Sequence, residues 1–239
     1  MIGRMDADPR AWRPQAFGHR PVKDVADPVI EPAWDGVRVL VHLDTAAANV
    51  AIHDATGADL TPDHAPIAEA LLAALAAETA VVDGYLTDQA TQPSESRTIL
   101  NSEIPSFSEH ASQFFLGRRG AELMSASAGL ERTGRSRIPA PDEGDSEEAP
   151  IAFVAVDLLS IDGSSLIDVP LLERKRLLDG ALKIGEMVRI TPYVRPPIGS
   201  FALTWRALGF RELAFKRANG RYCPTGEPSD WGVESIPSH

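Results

Sequence analysis

The octapeptide EPAWDGVR, residues 31–38, gathers Glu31, Trp34, Asp35, Gly36 and Arg38 around one tight turn and has the look of an enzyme signature. At its centre stands Ala33, a side chain that can act neither as acid, base nor nucleophile. Elsewhere the residues able to do chemistry are thinly spread. His42, His53, His64 and His110 lack metal-ligand spacing, and a solvent or core histidine is the plainer reading of each. Cys223 lies in a turn between Tyr222 and Pro224, with no neighbouring histidine to activate it. SIDGSS (160–165) is a turn and not a phosphate loop, because it lacks the Gly-x-x-x-x-Gly-Lys arrangement. The only amines on side chains are Lys23, Lys175, Lys183 and Lys216.

The elements that must position these groups come from a chain of 239 residues, room for one sizeable domain or two small ones. Hydrophobic content of 44% and charged content of 24% are those of an ordinary globular protein. A single cysteine excludes an intrachain disulfide and makes a reducing compartment, the cytoplasm, the expected location. The most apolar run, APIAEALLAALAAETAVV, is interrupted by Glu69 and Glu78 and is too short to span a bilayer, so no membrane role is expected. The N-terminus has acids and prolines but no apolar core, unlike a signal peptide. Net charge is −11, part of it concentrated in PDEGDSEE (141–148). A polyanion-binding protein normally presents excess cations, so nucleic-acid binding by this chain alone is disfavoured.

Residues 1–28 read as an irregular arm rich in Pro, Arg and Asp. VRVLVHL (37–43) alternates as a strand, with Val37, Val39, Val41 and Leu43 on one face and Arg38, Leu40 and His42 on the other. NVAIH (49–53) completes a hairpin. Pro66 opens a helix whose Ile67, Leu71, Leu72 and Leu75 recur at helical spacing. TAVVDGYLT (79–87) reads as a strand broken by Asp83-Gly84. SQFFLGRRGAELM could form a short helix, and 125–150, nearly free of large apolar residues, is expected to be disordered, as a linker or a partner-binding segment. IAFVAVDLLSIDG (151–163) is an apolar strand. PLLERKRLLDGAL (170–182) is an amphipathic helix with Leu171, Leu172, Leu178 and Leu182 inward and charges outward. MVRITPYV and RELAFKR read as strands, SFALTWRALGF as a helix, and ANGRYCPTGEPSDWG as turns. The fold class is therefore α+β, antiparallel sheets with flanking helices, with the domain proper spanning 29–239.

From about residue 28 to 235 the order of these segments resembles the adenylation (nucleotidyltransferase) domain of bacterial-type ATP-dependent DNA ligases. EPAWDGVRVLVH is similar to the family's Lys-x-Asp-Gly motif with its following arginine, and DATGADLT falls where a Ser-Arg-x-Gly turn is expected. VVDGYL stands for the Asp-Gly-Glu strand and FVAVDLLSIDGSSLIDVPLLERKRLL for the Phe-Asp-Leu-Leu strand with its helix. RELAFKRANGRYCPTGEPSDWGVES covers the Glu-Gly-x-x-x-Lys motif and the closing Asp-Trp-x-Lys-x-Lys. The resemblance implies an ATP-grasp-like nucleotidyltransferase fold. It also implies a lysine that attacks the α-phosphate of ATP, an intermediate AMP-lysine phosphoramidate, and a divalent metal held by carboxylates.

Most chemical positions depart from that pattern. Ala33 stands at the nucleophile, Ala55 at the turn arginine, Tyr85 at the carboxylate of the Asp-Gly-Glu strand, and Val156 at the aromatic that would stack on adenine. Arg211 replaces the glutamate of the fourth motif, with Glu212 beside it expected to face the other way. Val233 and Ser235 replace the last two lysines. Glu31, at the position contacting the adenine amino group, and Arg38, near ribose and phosphate, remain. So do Asp83, Asp157, Lys216, Asp230 and Trp231. As a relocated nucleophile, Lys175 and Lys183 are disfavoured by an outward-facing helix and Lys23 by its irregular arm, leaving Lys216 as the lysine expected in the cleft. The chain stops at His239, directly after the last motif, so no C-terminal OB barrel is expected.

The expected function is a ligase-like adenylation domain, catalytically inactive and without a metal site. It would act as an accessory module that binds a nucleotide or a protein partner in DNA repair. The remnant binding set is Glu31, Trp34, Asp35, Gly36, Arg38, Asp83 and Lys216, with no certain cofactor and at most weak ATP or AMP. The alternative is an active ATP-dependent ligase of DNA repair and recombination, and Mg enters only with it.

Overall fold

The computed structural model describes residues 8–18, 21–89, 151–228 and 231–236. The short helix expected around 112–124, the 125–150 segment, His110 and Asp230 lie outside the described residues. The order is β1 (Pro28–Pro32), β2 (Val37–Asp44), β3 (Asn49–Asp54), α1 (Ala65–Ala74), β4 (Thr79–Thr87), β5 (Ala152–Ile161), β6 (Ser164–Ser165), α2 (Leu171–Ala181), β7 (Val188–Ile190), α3 (Gly199–Ala207), β8 (Glu212–Arg217) and β9 (Gly232–Ser235).

Two sheets result. The larger runs β3-β2-β4-β5-β6 with β7 beside β5, and the smaller runs β1-β8-β9. Pairing is antiparallel throughout except for β7, which lies parallel to β5. The larger sheet buries its apolar face, Val39, Val41, Ile52, Val82 and Leu158 among others, against Ile67 and Leu71 of α1 and Leu178 of α2. The smaller sheet packs Ile30, Leu213 and Phe215 against Trp205 and Leu208 at α3 and Phe210 just beyond it. Alternation along β1 then turns Val29 and Glu31 to the other side, toward Leu171, Tyr193 and the larger sheet's neighbours. A third apolar cluster, Trp12, Leu40, Val81, Leu159, Tyr222 and Trp231, fills the space between the sheets.

Several expectations need correction. Asp83-Gly84 does not break β4, which runs through with register shifts at Val81/Val82 and Asp83/Gly84. Gly84 is there because a Cβ would meet the Phe153 ring at 2.4 Å and the Val154 carbonyl oxygen at 2.6 Å. The arm is less irregular than its composition suggests. Its 3-10 turns at Pro9–Ala11 and Val22–Asp24 lead into β1, which the sequence pattern did not mark as a strand. β9 emerges from the turn-rich tail for the same reason: four residues pairing with β8 are too few to show alternation.

The turn between β1 and β2 is fixed by Gly36, whose φ of +133° is strained for any other residue. A Cβ there would sit 2.2 Å from the Leu86 carbonyl oxygen of β4. Gly36→Ala should therefore destabilise the fold by about 1–3 kcal/mol or more, read as a lowered midpoint in urea unfolding; an unchanged midpoint would show that the turn yields without cost.

Candidate functional site

The chemistry-bearing residues of EPAWDGVR and its partners converge between the two sheets. Glu31, on the inward face of β1 and 1% exposed, is held by two lysines. Its Oε1 lies 2.5 Å from Lys175 Nζ and its Oε2 2.9 Å from Lys216 Nζ. Lys175 comes from α2 and also donates to the Val156 carbonyl oxygen at 2.9 Å. Its ammonium lies 5.1 Å from the Tyr193 ring centroid, and that of Lys216 lies 4.6 Å from the Trp231 ring. Burial opposes ionisation of Glu31, yet the two lysines outweigh it and hold its carboxyl below the ordinary range. Burial, reinforced by the repulsion of Lys216, pulls the Lys175 amine down despite Glu31.

This corrects the reading of α2. Lys175 does not point outward: it is 2% exposed, and Arg174 beside it is 0% exposed. The spacing had the signal, since positions 174 and 175 lie one turn after Leu171 and one turn before Leu178, on the same helical face. Assigning charged residues to solvent by type overrode what spacing dictated. Lys183 is exposed, as expected.

A second ion pair occupies the same cleft. Arg38 on β2 binds Asp83 on β4 in bidentate fashion, Nε to Oδ1 at 2.7 Å and Nη2 to Oδ2 at 2.6 Å. Tyr222 donates to Asp83 Oδ2 at 2.7 Å, and Arg38 Nη1 donates to the Tyr85 hydroxyl at 3.3 Å. Burial, and after it the Asp83 charge, pushes the Tyr222 hydroxyl well above its usual range, so it stays a donor. Asp157 faces Asp83 across the β4–β5 ladder. Two buried carboxylates so close need separate cations, and Asp157 has Arg174, at 2.9 and 2.7 Å.

The remaining expected residues scatter. Trp34 is half-buried, donating to Thr191 Oγ1 at 2.9 Å and packed edge-on to Phe210. Asp35 is exposed, its backbone N–H bonded to Gln89 Oε1. Ala33, just after β1, is half-buried, and its backbone N–H donates to the Glu212 carbonyl at 2.9 Å. Ala55 lies exposed in the turn after β3, Val156 is buried, and Arg211, Glu212, Val233 and Ser235 are all exposed. Sequence reasoning missed Arg174, Lys175, Gln15, Phe17 and Tyr222 as parts of this cleft. His42 and His53 lie diagonally across the β2–β3 ladder with ring centroids 5.8 Å apart, and burial, then the charge of His53, brings His42 down to about 4.

These groups do not fit a divalent metal. Asp83 and Asp157 are each committed to an arginine, and Tyr85 and Arg211 stand where further ligands would be required. Among the described residues no group of three or more His, Cys, Asp or Glu side chains is placed to hold one. Both Glu31 oxygens face lysines, so an adenine amino group would have to share them.

The two-sheet frame and the position of the signature within it agree with a family match, ATP dependent DNA ligase domain, over residues 19–195. The chain belongs to that family. At 26% identity over 202 residues it is similar to the multifunctional non-homologous end joining protein LigD of Mycobacterium bovis and to the corresponding DNA repair protein of Mycobacterium tuberculosis. The match covers 84% of this chain and 20% of the mycobacterial protein, so the chain spans about a fifth of the length of these curated relatives. Among solved structures, the ligase domain of M. tuberculosis LigD superposes with a TM-score of 0.59 at 20% identity, covering 96% of this chain and 61% of that one. Mycobacterial DNA ligase D complexed with ATP and MES gives 0.56 at 21%, covering 94% and 60%. Both carry the fold: mixed sheets and few helices of a ligase nucleotidyltransferase domain. Among the described residues no helix is long and apolar enough to cross a membrane.

Two outcomes test the electrostatics. Glu31→Gln leaves two buried ammoniums without a counter-charge and should cost about 3–5 kcal/mol in urea unfolding, whereas Lys175→Met keeps the Glu31–Lys216 pair and should cost clearly less; equal losses would contradict the shared-carboxylate arrangement. For His42, a folded value of about 4 against an ordinary 6.5 means that protonation favours the unfolded chain. Its contribution is complete above pH 6.5 and is lost as the pH falls toward about 4, so His42→Gln should flatten the stability profile in that window.

Proposed function

We propose that this domain is a catalytically silent member of the ligase adenylation family and serves as an accessory, partner-binding module in DNA repair. The observation that carries the reading is Ala33. A phosphoramidate needs an amine lone pair directed at the α-phosphorus, and the residue at the nucleophile position offers a methyl group. Relocation finds little support. The two lysines in the cleft, Lys175 and Lys216, are each at most 2% exposed and directed at Glu31, which must lose one of them before either could attack a phosphate. The losses at Tyr85, Val156 and Arg211 point the same way, since one substitution at residue 33 would not explain them.

The repair context comes from the relatives, whose names place them in non-homologous end joining. A protein partner fits the net charge of −11 better than direct DNA binding by this chain. The cleft geometry also argues against a nucleotide as the main ligand. Each charge-assisted contact to phosphate contributes about 1.5–3 kcal/mol, and the cations that would make such contacts are already bonded to Glu31, Asp83 and Asp157.

Intact-mass spectrometry after incubation with ATP and Mg²⁺ or Mn²⁺ should show no AMP adduct, and a nicked duplex should remain unsealed. Ala33→Lys alone should not restore either activity, because the metal and phosphate positions are altered too. A chain heavier by one AMP would overturn the reading; mapping it to Lys175 would identify that residue as the replacement nucleophile.

A further inference from the structure

Residues 8–18 do more than lead into the domain. They run alongside the tail between Tyr222 and Trp231. Arg13 N–H donates to the Pro224 carbonyl at 2.8 Å and Gly18 N–H to the Trp231 carbonyl at 2.9 Å. Parallel bridges join Arg13 to Thr225 and Ala16 to Pro228. Gln15, 1% exposed, sits between these contacts and accepts from the Cys223 N–H at its Oε1.

From this track two aromatic side chains enter the space between the sheets. Trp12, 4% exposed, packs with Leu40, Val81, Leu159, Tyr222 and Trp231. Phe17 lies 5.7 Å from Trp231, and the Arg38 guanidinium carbon stands 5.7 Å over its ring. Tyr85 and Trp231 approach that guanidinium at 5.2 and 5.5 Å, so Arg38 is enclosed by three aromatic rings and keeps 13% side-chain exposure. The enclosure is coupled to the ion pair beneath it. Gln15 N–H donates to the Tyr222 hydroxyl at 2.9 Å, and that hydroxyl donates to Asp83, which grips Arg38. The segment and the buried charge thus share one chain of hydrogen bonds.

We infer that residues 8–18 form a strap that closes the Arg38 end of the inter-sheet cleft, and that full access to this guanidinium requires the strap to lift. The strap is a conformational device distinct from the missing nucleophile. It lies ahead of the matched span, which begins at residue 19, and it governs access whatever the cleft accepts. Its attachment is mostly backbone, the Gln15 side chain and two aromatic anchors. Such a segment can open locally while the sheets stay folded.

Peptide-resolved labelling by phenylglyoxal, an arginine reagent, tests this on the full chain, with the exposed Arg211 and Arg217 as internal standards. In a Cys223→Ser background, Ala16→Cys with Pro228→Cys places a thiol on each side of the strap contact. Oxidation should slow labelling of Arg38 by about tenfold relative to the reduced protein, and Phe17→Ala should speed it by about tenfold, with the standards unchanged. Arg38 labelled as fast as Arg217 in the parent protein would overturn the inference. So would identical rates in the oxidised and reduced forms, or failure of the two thiols to join under oxidation. If Phe17→Ala does not fold, the thiol comparison still decides. None of these outcomes touches the adenylation result, which rests on Ala33.

Discussion

A single carboxylate shared by two lysines sets the terms for the rest of this cleft. Burying Glu31 costs several kcal/mol of lost hydration, and only cations brought in by separate elements offset it. Lys175 arrives from α2 and Lys216 from β8, so the carboxylate ties the smaller sheet to a helix packed on the larger one. The same logic repeats nearby, with Arg38 holding Asp83 and Arg174 holding Asp157. Once every buried carboxylate has claimed a cation, little positive charge is left to meet a polyphosphate. An adenylation cleft needs cations that wait for their substrate. Here they are spoken for by the protein itself.

The legible part of the sequence was the part governed by simple periods. The β2–β3 hairpin, α1, β5 and α3 follow from alternation or helical spacing, and the α+β class follows from their order. What stayed hidden had physical causes. β1 and β9 are too short to alternate visibly, and β7, legible as a strand within MVRITPYV, is only three residues long and gave no sign of its parallel pairing with β5. The inward turn of Arg174 and Lys175 was visible in the spacing but contradicted by residue type. Buried charges break the usual link between polarity and exposure, and they do so where several elements meet.

The candidate site shows the same division. The structure brings Glu31, Arg38, Asp83 and Lys216 together around Trp231, but motif order is silent about what those groups touch. Whether Glu31 faces a ligand or a lysine depends on α2, far away in the chain. Whether Arg38 is open depends on Phe17, ahead of every motif. Trp34 and Asp35, adjacent to the turn, proved to be its supports: one packs on Phe210, the other is tied through its backbone to Gln89. Local sequence identifies members of a site; their occupation is a tertiary property.

The fold and the chemistry of the signature draw on different atoms. At residue 33 the structure uses the backbone N–H, bonded to the Glu212 carbonyl on β8. Gly36 is required by the turn and not by chemistry. Asp83 and Asp157 would be intolerable as unpaired charges at 0% exposure, so their arginines must persist even where no metal competes for them. Glu31 is in the same position with its lysines. Removing any of these paired groups would leave a charge stranded. Architecture therefore requires the parts of the signature that carry charge or a turn, whatever chemistry the cleft performs.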